Sequence, residues 1–583
     1  MPSALISPVC SPRRWRLPVL LVLLAWVAAA HADTPASASP GLHYAASAEI
    51  DTHNVAGLQL AFTHSPDLQG AELRSQPVAA EGLLAYCSGH GHVWVLDGAT
   101  GRLRWQATPP AAGPLASAPG AGVLPPVSVL PGQGCLGVAI QGGLLYLATL
   151  DGRVLTWTAA TGLLRWETRV LPRDGSRGVL QGPPLVAGDV VIVGSSIAQP
   201  GQRGLLAGLD ARTGRELWRS DVLAPEGAVW PVSPAGSVPA SAGSRHPAEA
   251  VGGGGVGSTG VFDGEHQRVY WGTGSPLPLF DWVGANFMTH GAHPGLNPFT
   301  GGLLALDPQT GALRGWHQEV PHETWVRDSA GNPPLLLQRA GQAYVVHANR
   351  SGLVFVYTAD LHLVRVWQLV RNFTLAGAVD PQTGELRRRL DYNAGAQRGV
   401  CPAIDGALPG GAGAYSPQIG LWYAAVSEWC MDVQIDQSPP ADPALRERAL
   451  LGGRMAWTAP PDGRPRGHLD ARDPLTGAKV WTLEFPEPPM ANLLATGGRL
   501  LFVADARGML QALDAGTGRT LWRHADGDGH AGGLISYEAG GHQYIAVTSG
   551  WDNALHPAYT ALFGGPFTTA RTPHARLSVY RLP

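Results

Sequence analysis

The sequence predicts an all-β protein of propeller type, and three observations carry that prediction. A short phrase recurs: Leu96–Trp105 reads LDGATGRLRW, Leu209–Trp218 reads LDARTGRELW and Leu513–Trp522 reads LDAGTGRTLW. Glycine (77) and proline (50) are abundant while charged residues are only 15%, which suits many short strands joined by tight turns. Taken with the strand pairs upstream of them, the phrases repeat every ~40 to 60 residues, the spacing of propeller blades.

The chain opens with Arg13, Arg14 and Arg16, then the apolar run Leu17–Ala30 and the small-x-small sequence Ala30-His31-Ala32. This pattern predicts a secretory signal peptide over residues 1–32, because the run is shorter than the roughly 20 residues a spanning helix needs. Arg13-Arg14 alone does not make a twin-arginine motif, so the general export route is expected. No later segment reads as a membrane span, and residues 33–583 are expected to form one domain.

Each repeat element is a strand pair around a turn. In Gly91–Trp105 alternating apolar residues give one strand, Asp97 to Gly101 reverse the chain, and Leu103 to Trp105 begin the next. Glycine closes the turn because a positive φ costs it little. Further copies are Trp157–Trp166, Leu306–Trp316 and Asp473–Trp481; Val356–Trp367 is a worn copy, and Val379–Leu386 keeps the turn without the tryptophan. Added strand pairs, as in Gly142–Trp157 and Gly497–Leu513, make each unit a four-stranded sheet, with the tryptophans expected to plug each blade against its neighbour.

Removing the three leader arginines leaves 38 basic against 44 acidic side chains, a net of −6, which offers nothing to attract nucleic acid. Lys479 is the single lysine, which compositional bias explains. Once Cys10 leaves with the leader, Cys87, Cys135, Cys401 and Cys430 remain, an even number that suits an oxidising compartment and permits three pairings. No Cys-x-x-Cys-His is present, so no covalent haem is expected.

The D-x-x-T-G-x-x-x-W phrase resembles the blades of the pyrroloquinoline quinone (PQQ) dependent alcohol and methanol dehydrogenases, and the resemblance runs from about Tyr44 to Pro583. Tyr44–His64 is similar to that family's entry strand and Gly532–Trp551 to its closing blade. Pro321–Asp328 (PHETWVRD) and Ala348–Tyr357 (ANRSGLVFVY) resemble its active-site segments. The resemblance implies one eight-bladed propeller in the periplasm that oxidises an alcohol or related hydroxyl compound, with PQQ and Ca²⁺ or a lanthanide as cofactors and a cytochrome c as electron acceptor.

Such chemistry needs a base, a hard cation on oxygen ligands, and stacking surfaces around the quinone. By resemblance the metal ligands fall at Gln199, where the family has glutamate, at Ser275, where it has asparagine, and at Asp328, which matches the extra aspartate of lanthanide-using members. The family's catalytic aspartate corresponds to Val326, which cannot accept a proton. If the segment is extended, Asp328, two residues on, shares its face and becomes the candidate acid or base. Arg350 matches the basic residue beside base and quinone, and Gln199, Trp325 and Arg350 are the candidate cofactor contacts. Other quinone contacts are exchanged: Arg74 stands for a glutamate, with Glu72 nearby; Cys135 has no adjacent cysteine; Leu136 stands for an arginine; and Gly257 stands for the floor tryptophan. The resemblance also implies a Cys401–Cys430 disulfide, leaving Cys87 and Cys135 as the remaining pair.

So many exchanges suggest that the usual quinone site is gone or rebuilt. The rival reading is a non-catalytic exported propeller that binds a protein or small ligand. A third is an enzyme with altered cofactor use built around Asp328, Arg350 and the histidines. His90 and His92, two apart on one strand face, and His290 and His293 are the histidine pairs available to a metal, with no third ligand evident.

Overall fold

A computed structural model describes residues 41–66, 68, 73–109, 135–172, 177–197, 202–223, 252–277, 298–321, 323, 325, 327–390, 395–408, 411, 413–435, 453–525, 528–550 and 575–583. The chain divides into the compact units Met1–Pro35 and Ala36–Pro583, and all described residues belong to the second. The leader, Glu72, Gln199, His290, His293 and Val326 therefore lie outside the described residues. None of the described helices is long and apolar enough to cross a membrane.

Eight sheets built on four antiparallel strands stand out among the described residues, one of them extended to five by the parallel strand Tyr44–Ala45. In chain order they begin with sheet A (Val78–Ala80, Leu83–Cys87, Val93–Asp97, Leu103–Ala107) and sheet B (Ala139–Gln141 to Leu164–Arg169). Sheet C runs from Leu185–Ala187 to Glu216–Asp221, sheet D from Val261–Asp263 to Leu313–Gln318, and sheet E from Leu335–Arg339 to Leu363–Gln368. Sheet F runs from Ala414–Ser416 to Lys479–Phe485 and sheet G from Leu494–Thr496 to Thr520–Ala525. Sheet H takes its first three strands from Leu534–Ala539, His542–Ser549 and Arg576–Arg581. Its outer strand, Gln59–His64, comes from the start of the chain and pairs with Arg576–Arg581.

The recurring turn has a local cause. Asp97 Oδ1 accepts from Thr100 N at 2.9 Å and Thr100 Oγ at 2.8 Å, and the same pattern ties Asp210 to Thr213, Asp473 to Thr476 and Asp514 to Thr517. The closing glycine has a longer-range one. A Cβ on Gly162, Gly214, Gly311, Gly477 or Gly518 would lie 2.5 to 2.8 Å from an indole of the preceding sheet. Those indoles belong to Trp105, Trp166, Trp218, Trp367 and Trp481. Each also donates its N–H to a backbone carbonyl of the next sheet's turn, as Trp218 does to Pro308 O at 2.9 Å. The tryptophans dock sheet to sheet, as expected.

Two irregular copies have accounts of their own. At the D–E junction the worn turn has Leu361 at φ 57° in place of glycine, and Tyr270 Oη and Arg268 bind Ala359 O at 2.7 and 2.9 Å where an indole binds elsewhere. The turn at Val379–Leu386 belongs to a separate hairpin (Ala376–Val379, Leu386–Arg389) lying on sheet E, where Val366 N donates to Pro381 O at 2.7 Å.

The hydrophobic core is a ring of interfaces. One buried cluster joins A to B, the next B to C, and so on to G and H. A further cluster of Leu84, Tyr86, Tyr537 and Val579 joins H back to A, and Phe62 of sheet H sits over Gly101 of sheet A. A closed ring of four-stranded sheets leaves no unpartnered sheet face. A three-stranded sheet is built from insertions: its first strand, Gly395–Val400, lies between E and F, the other two, Cys430–Ile435 and Gly453–Thr458, lie within F between its second and third strands, and Trp325, Val400, Ile404, Trp429 and Met431 form its core. The Cys401–Cys430 disulfide forms there, and Cys87–Cys135 joins sheet A to the start of sheet B.

Candidate ligand cavity on the propeller axis

A cavity of about 600 Å³ opens where the segments before the innermost strands converge. Gln76 comes from the approach to sheet A, Leu136 to B, Gln181 to C, Gly257 to D, Gly331 to E, Gly411 to F, Asn492 to G and Gly532 to H. This is the axial site of a propeller, and its charged or titratable lining among the described residues is His43, Arg74, Asp328 and Arg350.

Three of the expected site residues meet on one wall. Asp328, 8% exposed, follows the end of sheet D and accepts at Oδ2 from both Ser275 N and Ser275 Oγ, each at 3.1 Å. Its Oδ1 accepts from Ala330 N at 3.2 Å and faces Arg350 Nε at 3.6 Å. Arg350 is fixed by backbone as well: its N donates to Asp328 O at 3.0 Å and its Nη1 to Ile404 O at 3.4 Å.

Trp325, expected to contact a cofactor, does not line this cavity. Glu323, Trp325 and Arg327 line a separate small void, whereas Asp328 lines the axial cavity. Trp325 donates to Leu390 O at 3.0 Å inside the insertion, and Arg327, 1% exposed, donates to Trp325 O at 2.6 Å and to Pro402 O. Burial pushes Arg327 down to about 10, and burial raises the Glu323 carboxyl above its ordinary value.

Of the exchanged positions, Arg74 and Leu136 line the cavity. Gly257 does too, and no side chain fits there: a Cβ would fall inside the van der Waals envelope of Ser196 Oγ. His90 and His92 lie elsewhere; His92 Nδ1 meets Thr108 Oγ at 2.8 Å and its ring stacks on Trp94. Among the described residues no three His, Cys, Asp or Glu side chains gather as a metal site.

Two features escaped the sequence reading. His43 enters the cavity on a backbone of φ 45°, in a segment that hands its carbonyl to Ala495 N at 2.9 Å. Its Nδ1 is shut off from solvent with no partner, and burial pushes its pKa down to about 4, so the ring is neutral. Behind the wall lies a fully buried hub at Glu319. It accepts from Ser329 Oγ at 2.6 Å, Tyr357 Oη at 2.9 Å and Asn349 Nδ2 at 3.1 Å, and it meets His347 Nδ1 at 2.8 Å. Ser329 follows Asp328 and Asn349 precedes Arg350, so the hub sets the spacing of the two site residues. No local motif announces either feature; each exists only because distant strands converge.

The fold and this cavity define an all-β propeller with an axial small-molecule site. Residues 34–360 match the family model described as glucose/ethanol/alcohol dehydrogenase, beta-propeller domain, and the chain belongs to that family of PQQ-dependent, alcohol dehydrogenase-like propellers. Residues 465–549 match a second model, described as outer membrane protein assembly factor BamB. The chain is 27% identical to a quinoprotein ethanol dehydrogenase of Pseudomonas putida over 92% of its own length and 88% of the relative's. It is 26% identical to a 1-butanol dehydrogenase (quinone) of Thauera butanivorans, covering 92% and 89%. Among solved structures, a europium-containing methanol dehydrogenase superposes with a TM-score of 0.78 at 24% identity, covering 93% of this chain and 96% of that one.

The family implies PQQ and a metal ion, and the described residues do not fit them in the family's manner. Among the described residues the lining holds no tryptophan, tyrosine or phenylalanine to stack on a quinone. Among the described residues Asp328 is the one carboxylate on the wall, and its oxygens accept from protein donors with the Arg350 guanidinium beside it.

Proposed function

We propose that this chain is an exported propeller of quinoprotein alcohol dehydrogenase descent that binds a small polar molecule in its axial cavity without metal-assisted quinone chemistry. The observation that carries the reading is the Asp328 carboxylate, held by Ser275, Ala330 and Arg350 in a lining that holds no tryptophan, tyrosine or phenylalanine among the described residues. The leader over residues 1–32 and the two disulfides support a periplasmic location.

The second reading is oxidation of an alcohol or related hydroxyl compound with electrons passed to a cytochrome c, as the relatives' names suggest. It is favoured by Asp328 and Arg350 standing together on the cavity wall, where the carboxylate could take a hydroxyl proton. Titrating the purified mature protein with PQQ, with Ca²⁺ and separately with La³⁺, decides between them, followed by dye-linked oxidation of several alcohols. Absence of binding and turnover is expected. Tight metal-dependent binding with turnover that D328N abolishes would establish the second reading instead.

A further inference from the structure

We propose that Gly41–His43 is a strap that opens and closes one wall of the axial cavity while the ring of sheets stays intact. Strap opening is independent of which molecule the cavity takes, and so stands apart from the binding reading above.

The strap lies across the inner strands of successive sheets. A Cβ on Gly41 would lie 2.7 Å from Pro334 O, at the entry to sheet E, and 3.1 Å from Val261 Cγ2, in the innermost strand of sheet D. Leu42 O accepts from Tyr415 N of sheet F at 2.9 Å, and His43 O accepts from Ala495 N of sheet G at 2.9 Å. Three consecutive residues thus touch four sheets. Gly41 and His43 also line the cavity, so each opening of the strap removes part of its wall.

The closed strap carries two local costs at one residue. His43 holds a left-handed backbone, φ 45°, without being glycine, and its Nδ1 is shut off from water with no partner. Strained backbone of this kind collects at ligand clamps and switch segments. Opening relaxes the backbone and hydrates the nitrogen. Leu42, packed on the clusters that join E to F and F to G, and Tyr44, 8% exposed, draw the strap back. Past Tyr44–Ala45 the chain is anchored: Ile50 is fully buried and its N donates to Gln543 Oε1 at 2.9 Å. The ring-closing strand Gln59–His64 follows that anchor, so the strap leaves the cavity without opening the ring.

The test is native-state hydrogen exchange of the chain over residues 33–583, read at residue resolution by mass spectrometry at the Tyr415 and Ala495 amides, whose acceptors lie on the strap. Both are expected to exchange roughly a hundredfold faster than the amides of Leu421–Ser427 and Leu500–Ala504, the second strands of the same sheets, in urea too dilute to expose those strands. H43G, which frees the backbone and deletes the unmet nitrogen, should slow that exchange about fivefold or more. The slowing must appear at Tyr415, which bonds Leu42 and not His43, because one strap covers both amides. Thermal melts establish that H43G is folded. The proposal is overturned if Tyr415 and Ala495 exchange in step with the second strands in the parent protein, a result that needs no variant, or if H43G fails to slow exchange at Tyr415.

Discussion

His347 Nδ1 lies 2.8 Å from Glu319 Oε1 with neither side chain exposed, and His347 Nε2 lies 3.0 Å from the Asn332 carbonyl. Both ring nitrogens thus face acceptors, so the ring donates from both and is a buried cation paired with a carboxylate. Burial disfavours both charges, yet the partner outweighs it: the His347 pKa is raised above its ordinary value and the Glu319 pKa lowered.

This pair should shape stability against pH. The Glu319 contribution is present above the ordinary glutamate pKa of about 4.3 and is lost as pH falls through its depressed folded value. The His347 contribution is complete below about 6.5 and is lost as pH rises through its elevated folded value. Urea unfolding should therefore show a plateau between those limits. E319Q, which leaves the imidazolium without its counter-charge, should cost about 3–5 kcal/mol. A Glu319→Gln variant as stable as the parent at pH 6 would show that the pair is not ionised.

The docking tryptophans should be worth more than surface aromatics. Trp218 is 8% exposed and its N–H is bonded to the next sheet, so W218A should cost roughly 3–5 kcal/mol in equilibrium unfolding. G311A, at φ 68° and with its Cβ 2.5 Å from the same ring, should be destabilising where an ordinary glycine-to-alanine change is not. Equal stability of G311A and the parent would contradict the docking geometry.

Cys87, Cys135, Cys401 and Cys430 are paired, so the unfolded protein over residues 33–583 should titrate no free thiol until a reductant is added. Replacing Cys87 and Cys135 together by serine should lower stability by about 2–5 kcal/mol, because that bridge closes a separation of 48 residues. Thiols detected without reductant would refute the pairing.

Gly406 sits at φ 82° against Arg350, and G406A should displace the guanidinium. In urea unfolding G406A should be less stable than the parent by about 1 kcal/mol or more, since alanine at that φ is strained as well as crowded. Equal stability would show that Arg350 does not crowd this position.

The fold was readable because its causes are local. Asp97 with Thr100, and the equivalent pairs at Asp210, Asp473 and Asp514, make a turn within five positions, and the following tryptophan needs only a glycine in the next copy to dock on. Repetition then implies a ring, since every sheet presents the same two faces. The even cysteine count and the candidate residues Asp328, Arg350 and Ser275 were also legible in the sequence; that these three share one wall was not.

What the cavity contains was decided by tertiary structure alone. Arg74, Ser275 and Arg350 are far apart in the chain and meet because eight inner edges converge on one axis. Trp325, three residues from Asp328, goes the other way because the insertion, anchored by Pro402 O on Arg327 and Leu390 O on Trp325, claims Glu323, Trp325 and Arg327 for a separate small void. Local patterns therefore determined the scaffold; the charge of the site depends on which side chains the ring turns inward, and that follows from long-range packing.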